Sequence, residues 1–132
     1  MTWDAVNLEE RLISVSAKAS KTASRRLVPI CDNLIGWLMC APKRTGPVLP
    51  LSVAEERDLV VATRAAAGIK QWPVDALRHS WVTYRFALTG DAARTAAEAR
   101  HDQAVLHRHY RALATAAEAG NWFAILPGDA PN

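Results

Sequence analysis

Residues 76–110, ALRHSWVTYRFALTGDAARTAAEARHDQAVLHRHY, decide the fold. Leu77, Trp81, Tyr84 and Leu88 recur at i, i+4, i+7 and i+11, the spacing of one buried stripe on a helix that starts after Pro73 and ends near Gly90. Arg78 lies beside that stripe. Asp91 caps an alanine-rich helix reaching about Ala99, and Asp102 caps a further helix carrying Leu106, Tyr110 and Leu113. Three helices in close succession predict a mainly helical core.

On either side the chain is punctuated as clearly. Ser52 with Glu55 makes a capping box and Gly68 supplies the matching stop, so residues 53–67 read as a helix with both ends signalled. Thr115 with Glu118 forms a second capping box, opening a last helix that would bury Trp122 and Phe123. Nearer the N-terminus, Leu12, Ile13 and Val15, then Leu27, Val28 and Ile30, are two short apolar stretches that pair as a hairpin, with Pro29 confining the second to an edge or a strand end. Asp32 caps a short helix through Leu34, Trp37 and Leu38 that stops before Pro42. The proline-rich stretch 41–50 is a connector within one domain. The expected architecture is α+β: one domain over residues 1–127, with a small antiparallel hairpin or sheet near the N-terminus, about five helices around a single core, and a frayed tail at 128–132.

The chain's 132 residues suit one domain of ordinary size. Half of them are hydrophobic, but 25 are alanine, so large packing side chains are fewer than that fraction suggests. Two cysteines, Cys31 and Cys40, lack metal-ribbon spacing and point away from a disulfide framework. Acidic residues at Asp4, Glu9 and Glu10, and the lack of a long apolar run, predict a soluble cytoplasmic protein without membrane contact. A net charge of +3 leans mildly toward polyanionic partners.

The cations are grouped. Lys18, Lys21, Arg25 and Arg26 fall within nine residues that hold no acid, a run that by composition alone reads as a solvated loop. All four histidines, His79, His101, His107 and His109, share residues 79–109 with Arg85, Arg94, Arg100 and Arg108. His107 and His109 stand two apart on a predicted helix and point in different directions, which argues against a metal site. A cationic surface that meets phosphates fits the cluster better.

Ala76-Leu77-Arg78-His79-Ser80, then Arg100-His101, then His109-Tyr110, resemble the C-terminal catalytic domain of tyrosine recombinases, the phage integrase family. Arg78 to His101 is 23 residues and His101 to Tyr110 is nine, both fitting that family's order of arginine, histidine and nucleophilic tyrosine. Lys21-Thr22 followed by Arg26-Leu27-Val28-Pro29 resembles the family's hairpin lysine and trailing strand, and Trp3-Asp4-x-Val6-x-Leu8 the segment leading into it. The resemblance runs from Trp3 to about Pro127.

It implies site-specific cleavage and rejoining of double-stranded DNA without metal or nucleotide cofactor. Tyr110 would attack a phosphodiester and form a 3′-phosphotyrosyl link, while Arg78 and His101 hold the nonbridging oxygens. Lys21 would protonate the leaving oxygen, with Lys18 nearby. Lys18, Arg25, Arg26, His79, Arg100 and Arg108 would line the DNA, and a homo-tetramer on DNA that exchanges C-terminal segments is the implied assembly. The family's T-G-x-R-x-x-E motif has no counterpart ahead of Trp3, so the chain is expected to be the back half of a catalytic domain. Two positions depart from the pattern. Asp75 replaces a histidine three residues before Arg78, where it could still accept a proton, and Arg100 replaces a glycine before His101.

Each residue also has a plain alternative. Tyr110 shares a helix face with Leu106 and Leu113 and could be core, Arg78 could cover the neighbouring stripe with its stem, and His101 could be an ordinary loop residue. The alternative for the chain as a whole is a noncatalytic DNA-binding or assembly remnant of an integrase.

Overall fold

The structure, a computed structural model, describes residues 1–16, 25–100, 102–104, 106, 110 and 113–128. A single 3-10 turn at Trp3–Ala5 leads into strand β1 (Val6–Asn7), which pairs antiparallel with β2 (Leu12–Val15). β3 (Arg26–Pro29) pairs antiparallel with the other side of β2, in the register Leu12 opposite Pro29 and Val15 opposite Arg26. Pro29 therefore closes an edge strand, where its missing N–H costs no ladder bond. The expected hairpin is present, extended to three strands by β1.

Five α-helices follow among the described residues: α1 (Asp32–Met39), α2 (Val53–Ala66), α3 (Ala76–Thr89), α4 (Ala92–Ala99) and α5 (Ala116–Phe123). Between α4 and α5, helical bonds run from the Leu106 N–H to the Asp102 carbonyl and from the Tyr110 N–H to the Leu106 carbonyl. The caps hold where they were expected. Ser52 and Thr115 complete their reciprocal boxes with Glu55 and Glu118, and Asp91 accepts from the Arg94 N–H. The N-cap of α1 is Cys31 rather than Asp32, which lies in the first turn and whose carboxylate pairs with Arg11.

Among the described residues the buried side chains form two clusters. One buried cluster joins Trp3, Ile30 and Leu38 beneath the sheet and α1, and another joins Val82, Ala96, Leu106 and Tyr110 among the helices. The connector helps to close the first: the Trp3 N–H donates to Gly46 and the Val48 N–H to Met1. The apolar stripe of α3 does not bury as a unit. Val82, next to the stripe rather than in it, is fully buried, whereas Leu77 and Leu88, at the stripe's two ends, are exposed. The reason is length: α3 has 14 residues and its neighbours α4 and α5 eight each, roughly 21 Å against 12 Å. Tyr84, in the middle of the stripe, stacks on Trp122 of α5 at 5.3 Å between ring centroids.

Trp122 and Phe123 are half-buried, edge to face at 4.8 Å. The segment after them returns to α1, where the Trp37 indole donates to the Ile125 carbonyl and Leu126 lies against Gly36. The C-terminal segment thus packs on its own chain. No helix among the described residues is long and apolar enough to cross a membrane. Residues 129–132, most of the expected tail, lie outside the described set.

Candidate functional site

The end of α4 gathers the predicted arginines. Its last carbonyls have no intrahelical partner, and they sit at the negative end of the helix dipole. Arg78, on α3, donates Nη2 to the carbonyls of Ala99 (2.8 Å) and Arg100 (3.1 Å). Arg26, on β3, donates Nη1 to the carbonyl of Glu98 at 2.8 Å. Two guanidiniums from distant parts of the chain thereby close one helix end. Arg100 itself is left-handed, at φ 56°, and its N–H bonds back to Ala96. Glycine adopts that conformation without cost, whereas an arginine there costs on the order of 1 kcal/mol.

Beneath this end lies a second charge cluster. Glu98, its side chain only 8% exposed, accepts two bonds from Arg85, at 2.7 and 2.9 Å, and one from Arg94 at 2.9 Å. Burial on its own would raise the Glu98 pKa. The hydrogen bonds from the two arginines outweigh it and hold the carboxyl below its ordinary range. The same bond to Glu98 raises the Arg85 pKa further. Glu98 belongs to no sequence motif, and its only local sign is Arg94 four residues before it.

The predicted nucleophile meets the predicted arginine helix. Tyr110 is 6% exposed, packed with Val82, Ala96 and Leu106, and its ring stacks on His79 at 5.8 Å with 20° between planes. The phenol hydroxyl is hydrogen-bonded to Nδ1 of His79. Burial pushes the phenol pKa above its ordinary value of 10.0, while the positive charge of Arg78 pulls the other way. His79 and Arg78 are themselves exposed, so the buried Tyr110 meets the surface residues of α3 through its hydroxyl's bond to His79.

The remaining predicted residues divide in two. Asp75 is exposed, immediately before α3, in a left-handed conformation at φ 57°, and its side chain caps no N–H of that helix. Arg25 is exposed at the start of β3, while Arg26 is half-buried against α4 rather than on a solvated loop. Lys18, Lys21, His101 and Arg108 lie outside the described residues, as do His107 and His109. In chain order Lys21 belongs to the connection between β2 and β3, and His101 follows the left-handed Arg100 directly.

A separate cleft of about 440 Å³ opens between sheet and helices, lined by Arg11, Ile30, Trp81, Arg85, Glu98 and Phe123 among others. Tyr110 takes no part in it. The arrangement at Tyr110 offers a phenol hydrogen-bonded to an imidazole nitrogen, with the Arg78 cation the residue before that imidazole on α3, elements that nucleophilic attack on an anion uses. No protein-family model, no curated protein and no solved structure matches this chain.

Proposed function

We propose that the chain carries DNA strand cleavage and rejoining as part of a site-specific tyrosine recombinase, through a 3′-phosphotyrosyl intermediate. One observation carries the reading: on α3 the neighbours Arg78 and His79, part of the sequence pattern, reach the carbonyls that end α4 and the Tyr110 hydroxyl respectively. The left-handed backbone at Arg100 supports it, since the recombinase pattern has glycine there.

In this reading the Tyr110 oxygen attacks phosphorus and the bond to the 5′ oxygen breaks, with Lys21 supplying the proton that the leaving oxygen needs. Arg78 and His101 neutralise the charge that grows on the nonbridging oxygens. Arg78 engages Nη2 with two backbone carbonyls among the described residues, which fixes the guanidinium plane. Arg25, Arg100, Lys18 and Arg108 add cations for the phosphate backbone.

The experiment is a nicked duplex that traps the covalent intermediate. Wild type should form a protein–DNA adduct that survives denaturation, Tyr110→Phe should form none, and Arg78→Lys should slow formation by roughly 100-fold or more. Failure of wild type to form an adduct while it still binds DNA with steep salt dependence would replace this reading with a noncatalytic DNA-binding module. The burial of Tyr110 in the helical core favours that second reading.

A further inference from the structure

We infer that His79, rather than Asp75, is the proton acceptor for the Tyr110 phenol. The inference rests on the recombinase reading for its chemistry and on the local geometry for its atoms. Position 75 carries the carboxylate that stands where the recombinase pattern puts a histidine, yet that carboxylate sits before the helix start, exposed, and hydrogen-bonds nothing among the described residues. The imidazole of His79, one turn further along, is stacked face to face with the phenol ring and holds its Nδ1 at the hydroxyl.

The stack holds the imidazole nearly parallel to the phenol, and the hydrogen bond sets the proton's path before substrate arrives. The step balances. As the Tyr110 oxygen forms its bond to phosphorus, its proton passes to Nδ1 and leaves an imidazolium. The bond to the 5′ oxygen breaks, and that oxygen takes a proton from the general acid. On rejoining, the 5′ hydroxyl returns its proton to the now deprotonated general acid as it attacks phosphorus, and the imidazolium returns its own to the departing phenolate. A buried phenol whose pKa stands above its ordinary value needs such an acceptor more than a solvated one does. The assignment requires the neutral tautomer that carries its proton on Nε2, with Nδ1 unprotonated to receive.

Two measurements on the full chain test this. In single-turnover cleavage of the nicked duplex at saturating protein, His79→Gln keeps a hydrogen-bond acceptor but cannot carry the proton, and should slow adduct formation by roughly 100-fold. His79→Ala should be slowed likewise and partly restored by added imidazole, a rescue that loss of packing would not show. Full-rate cleavage by His79→Gln would overturn the inference. Nitrogen NMR of the imidazole, without DNA, reads the bond directly. An unprotonated Nδ1 whose shift moves in Tyr110→Phe is expected, and a protonated Nδ1 that donates to the phenol would overturn the assignment. If wild type forms no adduct, the recombinase reading falls, and the NMR result still decides whether His79 is built to accept the phenol proton.

Discussion

Helices α2 and α4 both carry well-formed ends, yet α2 buries none of its 14 residues while α4, with eight, buries Ala92, Thr95 and Ala96. The ends of α2 are the more complete. Ser52 and Glu55 satisfy each other's backbone N–H groups, and at the far end Gly68 donates to Ala65 and Ile69 to Arg64, with Gly68 left-handed at φ 66°. α4 has one capping aspartate and a left-handed arginine. Capping says where a helix begins and stops, and a matching apolar partner says whether anything rests on it. Around α4 that partner is α3, and Arg26, Arg78 and Arg85 tie its end to β3 and α3. Function follows the same division, because the proposed site stands on α3 and at the end of α4.

The comparison can be broken most severely at Glu98. Glu98→Ala leaves the Arg85 guanidinium partly buried without its carboxylate, and should lower the unfolding free energy by about 3 kcal/mol in urea titration. A loss below about 0.5 kcal/mol would mean that the ion cluster is incidental to how α4 is held.

Acid should act at the same place. The folded Glu98 pKa lies below the ordinary 4.5 of an unfolded chain, so the unfolded state binds a proton more readily. Its contribution is therefore complete above that ordinary value and is lost as pH falls through the folded one. Unfolding midpoints measured from pH 6 down to pH 3 should drop in wild type and drop less in Glu98→Gln. Equal slopes would remove Glu98 from the acid response.

The smallest and most diagnostic effect comes from the paired caps. Asp91→Ala should cost about 1 kcal/mol of global stability, since α4 is part of the buried helical cluster. Ser52→Ala removes an equally good cap from α2, where it should leave the global midpoint nearly unmoved and speed amide exchange within α2 alone. Equal global losses would show that α2 rests on the rest of the fold after all.

Local chemistry was legible residue by residue. The capping boxes at Ser52 and Thr115, the Asp91 cap, the stops at Gly68 and Gly90 and the β2–β3 pairing all stand where composition and spacing put them, because each depends on atoms within a few residues or on a period of two. The Asp32 cap did not, and the difference is one position: Cys31 takes the extended N-cap conformation while Asp32 turns to Arg11. Of the candidate site, Arg78 and Tyr110 were readable as a spacing, but the bond from Tyr110 to His79 was not, since no periodicity links residues 31 apart.

What the 132 residues determined alone is the alphabet of the fold: a hairpin with Pro29 at its edge, helices with marked ends, and a cluster of cations and histidines between residues 76 and 110. Only the tertiary structure decided which of those helices carry weight, that the buried side chains among the described residues fall into two clusters, and that Arg26 and Arg78 close the same helix end. The physical reason is range. Caps, turns and side-chain period act over one turn of chain and are written locally, whereas burial and charge pairing depend on which surfaces meet when distant segments fold together.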